Sequence, residues 1–214
     1  MDYKLQLPSA LDYFTTLVQS DDEFPLMETA VSIAQDEFPK MDIQQVLDEV
    51  DVLSAKLKRR LLPQADVLDK LRELNRFFYE DMRFAGNVNH YDDPHNSFLN
   101  VVLSKRQGIP ISLAVLWLEL GQSLGLKVNG VSFPGHFLVK LDLSFPQEGH
   151  VVIDPFTGES LSREDLAERL IPWLPGAKLG KPQAISDEAL AFHLQPAEPR
   201  RIIARMLRNL HEIY

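Results

Sequence analysis

The chain has 214 residues, 45% hydrophobic and 25% charged, the balance of an ordinary globular protein and not of a disordered or collagen-like one. Asp and Glu number 31 against 22 Lys and Arg, a formal charge of −9, so binding to nucleic acid through clustered positive charge is not expected. Cysteine is absent, which excludes disulfides, thiolate zinc sites and every mechanism that attacks with a thiolate.

No window approaches the ~20 apolar residues of a bilayer-spanning helix, and MDYKLQLPSALDYFTTLVQS lacks a basic start followed by an apolar core. A cytoplasmic chain with no membrane partner is expected. Ser9 caps a helix running to about Gln19, and a second runs from Leu26 to Phe38, closed by Pro39. From Asp42 the apolar residues Ile43, Val46, Leu47, Val50, Leu53, Leu57 and Leu61 recur at helical spacing until Pro63. Val67, Leu68, Leu71, Leu74, Phe77, Phe78 and Met82 keep that period from Asp66 to about Phe84, so the two segments are expected to form an antiparallel helical hairpin.

Residues 85–97, AGNVNHYDDPHNS, read as an ordered loop. Phe98 to Lys105 suits a short helix, and after Gly108 and Pro110 the stretch ISLAVLWLELGQSLG is apolar enough for a helix buried on most sides. VNGVSF, HFLVKLDL and GHVVIDPF then read as three antiparallel strands. A charged helix follows from Ser162 to Leu170, a surface loop over 171–185, and a short helix from Asp187 to His193. From Glu198 to Tyr214 the chain is amphipathic, with Ile202, Ile203, Met206, Leu207, Leu210 and Ile213 on one side. That stripe must be covered by the domain itself, by a second copy in a homodimer through Glu198–Tyr214, or by residues outside this sequence. Residues 1–40 hold eight acids and two bases, and residues 196–214 four arginines and two glutamates, so the two ends are suited to pair.

A turn centred on Phe145 sets His136 opposite Asp154 on neighbouring strands, on one face with Leu138 and Val152, while Phe137, Val139, Val151 and Ile153 face the other way. An imidazole beside a carboxylate is the base and orienter of a nucleophilic site, and equally a framework hydrogen bond. The loop residues His90, Asp92, Asp93 and His95 suit turns and caps, and no metal or other cofactor is read from them. Asn96 or Ser97 suits the cap of the helix at Phe98.

The motifs NSFLNVVLSKRQGIPISLAVLWLELGQSLGL, FPGHFLVKL and VVIDPFTGESL together resemble the bacterial SirB family. These are transglutaminase-like proteins of papain-related fold, often followed by tetratricopeptide repeats and related to a domain in some F-box proteins. The resemblance implies an α+β fold, with an N-terminal helical bundle (1–84) on a transglutaminase-like core of one buried helix and a small antiparallel sheet (85–195). A C-terminal helix (196–214) would close it and could open a repeat array, the whole forming one compact body. It places His136 and Asp154 at the family's His and Asp, and Pro110 at the family's Cys. It implies that Asn96, Arg106, Gly108, Trp117 and Gly135 belong to a binding cleft, although Trp117 also reads as plain core. Proline has no nucleophilic atom, and Ser112 lies two residues on, roughly 200° around a helix.

Three readings follow. The chain is a non-catalytic module that binds a protein or peptide, or an amidase or hydrolase using Ser112, His136 and Asp154, or an interaction subunit acting through its acidic and basic ends.

Overall fold

A computed structural model describes residues 9–144, 148–174 and 185–214. Helix α1 (Ala10–Leu17) starts at Ser9, whose hydroxyl accepts from the Asp12 amide while Asp12 bonds back to the Ser9 N–H. α2 (Leu26–Ser32) tightens into a 3₁₀ turn at Ile33–Gln35, and α3 (Ile43–Lys58) is capped by Asp42. α4 (Val67–Asn75) begins at Asp66 and widens into a π-helical turn over Arg76–Asp81. The widening has a visible cause: Phe77 and Phe78 are adjacent and both are buried, Phe78 stacking on Phe84 at 4.4 Å and Phe77 lying under Arg60 at 5.2 Å.

The expected hairpin of the two long segments is corrected. α3 packs mainly on α2 and on the apolar helix α6 (Pro110–Ser123), and α4 also leans on α6. That helix therefore organises this half. Its surroundings explain its uniformly apolar sequence, since Ile111, Leu113, Ala114, Val115, Leu116, Trp117 and Leu118 are all buried.

The loop over 85–97 is ordered but contains more than turns. Strand β1 (Ala85–Gly86) pairs in parallel with β2 (Gln107–Gly108), a two-residue bridge too short to leave a pattern in the sequence. Pro94–Ser97 forms a 3₁₀ turn capped by Asp93, and α5 (Leu99–Lys105) begins after Phe98. Neither Asn96 nor Ser97 caps α5, because both lie inside that turn.

The antiparallel sheet runs β3 (Val128–Val131), β4 (Leu138–Leu143), β5 (Gly149–Ile153), with a fourth short strand, β6 (Ser160–Leu161), added at its edge. Val139 pairs with Ile153 and Leu143 with Gly149, so each β4 residue faces a β5 partner two places further along than expected; the turn expected around Phe145 lies outside the described residues. The expected register is thus shifted by two residues. A shift of two preserves the alternation of faces. Val139, Leu141 and Ile153 join the core around α6, and Leu138 and Val152 join a second cluster on the opposite face.

That second cluster is closed by α7 (Arg163–Leu170) through Leu166 and Leu170 and by α8 (Asp187–His193) through Leu190. Part of the surface loop expected at 171–185 lies outside the described residues, while Ile171–Trp173 is a 3₁₀ turn. Helix α9 (Pro199–Ile213) folds back onto the body: Ile202, Ile203, Met206 and Leu210 are buried in the main core. At its start Arg200 meets Asp21 at 2.7 Å, so the acidic and basic ends do pair, although both side chains are too exposed for much stability to follow. Among the described residues no helix is long and apolar enough to cross a membrane.

If α9 belongs to the core, Met206→Ala lowers unfolding free energy by about 2–5 kcal/mol in urea, whereas Leu207→Ala, at a 40% exposed position, costs far less. Equal effects of the two substitutions would contradict the docked helix.

Candidate functional site

The chemistry of the site begins with Asp154, which is 2% exposed. It follows β5 directly and is fixed by a turn in which its N–H bonds to Glu159 O at 2.9 Å and its carbonyl accepts from the Gly158 N–H at 2.8 Å. Gly158 has φ +80°, and the Tyr79 ring lies so close that any side chain there would collide with it. His136 lies in the turn before β4, its N–H bonded to Phe133 O at 3.1 Å. His136 and Asp154 therefore meet just beyond the paired strands, with Nε2 2.8 Å from Oδ1.

Asp154 has two further partners. The Phe156 N–H donates to Oδ1 at 2.9 Å, and Nη1 of Arg169, on α7, donates to Oδ2 at 2.8 Å. Burial alone would raise its pKa; the hydrogen bond and charge of His136, the Phe156 amide and the Arg169 guanidinium outweigh burial and hold it below the usual carboxylate range. An ionised carboxylate only accepts hydrogen bonds, so His136 Nε2 must carry the proton and Nδ1 is left for other partners. Tyr79, whose hydroxyl donates to Pro155 O at 3.3 Å, has its pKa raised by burial and by the charge of Asp154.

His136, with a side chain 24% exposed, opens onto a cleft of about 450 Å³. The start of α6 contributes Ile109, Pro110 and Ile111, the loop after β1 contributes Tyr91 and Asp92, and α9 contributes Arg205, Asn209 and Glu212. Pro110 is the first residue of α6, where the missing N–H costs nothing and the fixed φ suits the helix. It supplies only a hydrocarbon ring to the cleft.

Ser112 is not brought to His136. It is fully buried, and its Oγ lies 2.6 Å from Asn96 O and 3.0 Å from Ile109 O while accepting from the Ile109 N–H at 3.1 Å. The hydroxyl thus satisfies the first turn of α6 and ties it to the preceding loop. Gly108 sits directly above it, since a Cβ there would lie 2.6 Å from that same oxygen.

The remaining candidates divide. Gly135 does line the cleft, at φ +69°, with the Trp173 ring lying where a Cβ would be. Asn96 shapes the wall from behind: its Nδ2 donates to His90 O and Tyr91 O at 2.7 and 3.1 Å, and its Oδ1 accepts from Asn87. Arg106 points elsewhere, ending α5 in a left-handed conformation with its guanidinium 4.7 Å from the centre of the Phe84 ring. Trp117 is core, its Nε1 donating to Asn75 at 2.9 Å. Of the loop acids and histidines, Asp93 holds His95 through its amide and Nδ1, and Asp92 faces the cleft. Among the described residues no three His, Cys, Asp or Glu side chains gather as metal ligands. Arg169, Arg205, Tyr91 and Asn209 were invisible as site residues in the sequence, because nothing local distinguishes them from other residues on solvated faces.

The transglutaminase-like superfamily matches residues 44–208 of the chain. A UPF0162 protein of Xylella fastidiosa is 40% identical over 210 residues, covering 95% of this chain and 70% of its own length. A UPF0162 protein of Vibrio cholerae is 34% identical over 88% of this chain and 66% of its own, and YchA of Escherichia coli 30% identical over 81% and 60%. Human F-box only protein 21 is 38% identical over 77 residues, 36% of this chain and 12% of its own length. No solved structure matches.

Asp154→Asn removes a buried charge while leaving Arg169 and His136 in place, and should lower stability at pH 7 by about 2–3 kcal/mol. The native pKa of Asp154 is depressed, so this advantage of the wild type is present in full above about pH 5 and fades as pH falls below about 4. Denaturant melts of both proteins from pH 7 to pH 3 check it; curves that stay parallel throughout would contradict it.

Proposed function

Because this chain belongs to the transglutaminase-like superfamily yet has a proline and no thiol beside its His–Asp pair, we propose that it is a non-catalytic module that binds a protein or peptide segment in the His136 cleft. The observation that carries this reading is the combination of an open cleft with a sealed hydroxyl. His136 and Gly135 reach solvent, but Ser112 is buried under Gly108 and bonded to Asn96 and Ile109. Activating Ser112 would require breaking buried hydrogen bonds at the start of α6, each worth about 1 kcal/mol net and more if left unsatisfied.

The cleft walls support peptide recognition. Tyr91 offers aromatic surface, 49% exposed, Arg205 and Asn209 offer donors, and the Trp173 ring, 59% exposed, lies against Gly135. The resemblance to SirB proteins adds a regulatory role in the cytoplasm and a helical-repeat region following α9. The bacterial relatives being longer than the matched region is consistent with such an extension.

Two experiments test it. Peptides selected from a random phage library on the wild-type chain should lose at least tenfold in affinity in Tyr91→Ala and Asn209→Ala; equal binding to both variants would overturn the cleft as the site. Pro110→Cys should react with iodoacetamide at pH 6.5 about tenfold faster than the same variant carrying His136→Ala, because an adjacent imidazole lowers a thiol's pKa. Equal rates would mean that position 110 and His136 do not share one cleft.

A further inference from the structure

The α7 helix contributes one side chain that neither the peptide-binding reading nor the superfamily match assigns. We propose that Arg169 is a positioning residue for His136: by holding Oδ2 of Asp154 it keeps Oδ1 aimed at Nε2, so that Nε2 donates to the carboxylate and Nδ1 is offered to the cleft as a hydrogen-bond acceptor.

A carboxylate that is 2% exposed needs a positive partner, and with a single side-chain contact it would be free to turn about its Cβ–Cγ bond. Arg169 supplies a positive charge that cannot be lost at neutral pH, and its bond to Oδ2 fixes the direction in which Oδ1 faces His136. The geometry keeps the two roles separate. Arg169 takes Oδ2 alone, while Oδ1 takes His136 and the Phe156 N–H.

Arg169 reaches Asp154 from a different side of the molecule. Its side chain is 36% exposed and borders a groove of about 650 Å³ whose other charged residues are Glu159, Asp165 and Glu168. In the His136 cleft the charged or titratable neighbours are Tyr91, Asp92, Arg205 and Glu212, and Tyr79 is the further group that senses Asp154. A consequence rests on the peptide-binding reading: a segment seated in the cleft must bring an N–H or O–H donor to Nδ1 of His136.

Heteronuclear NMR of the full chain tests the role of Arg169 without any ligand. At pH 7.5 the ¹⁵N shifts of wild-type His136, assigned with His136→Gln, should report Nε2 as the nitrogen that carries the proton. In Arg169→Gln, which removes the charge but leaves a shorter side chain, the ¹⁵N shifts of His136 should move toward a mixture of the two neutral tautomers, the Nδ1–H form rising at least twofold. Arg169→Lys should restore most of the difference. An Nδ1–H ring in the wild type overturns the proposal even if Arg169→Gln does not fold. An unchanged tautomer ratio in a folded Arg169→Gln protein overturns it as well. Peptides that ignore cleft variants would sink the binding reading while leaving this result standing, so the two failures are distinguishable.

Discussion

The site is built around one buried negative charge. Asp154 lies just past the end of β5, and placing a carboxylate there is tolerable only because an imidazole, a backbone amide and a guanidinium converge on its two oxygens. Three successive pieces of chain are held by that requirement: the turn before β4, the β5–β6 turn and α7. The Gly158 turn over Tyr79 fixes the carboxylate, and the carboxylate then fixes the tautomer and direction of His136.

The start of α6 supplies the second constraint. In a nucleophilic site this is where a reactive atom would stand beside the imidazole. Here the first turn carries Pro110 facing the cleft, and the nearest hydroxyl, on Ser112, is committed to the backbone of Ile109 and Asn96. The same hydroxyl joins the loop holding Tyr91 and Asp92 to the core helix, since Asn96 binds His90 O and Tyr91 O by its side chain and Ser112 by its carbonyl. A group that reads as a candidate nucleophile in the sequence is therefore a fastener for the cleft wall. The cleft persists as a shaped surface, with α9 forming its other side.

Much of this was legible in the sequence, for identifiable reasons. Ser9, Asp42, Asp66, Ser162 and Ser186 each stand at a helix start, where a side-chain oxygen satisfies an orphan N–H. The pairing of His136 with Asp154 survived a register error because a slip of two residues returns every side chain to its own face. The fourth strand, the β1–β2 bridge and the π-helical turn were not legible, being too short or too dependent on packing to leave a period. Arg169 was hidden for a different reason. The segment REDLAERL reads as a charged surface helix, and only the folding of α7 over the second core shows that one of its arginines turns inward to a buried carboxylate.

On the proposed reading the cleft binds a segment of chain and presents it with no reactive nucleophile. Intact-protein mass spectrometry after prolonged incubation with a fluorophosphonate and with an activated acyl ester at pH 7.5 should then show no stoichiometric adduct at any residue lining the cleft. A covalent acyl or phosphonyl group mapped to Ser112, or to any side chain beside His136 and lost in His136→Ala, would overturn that reading.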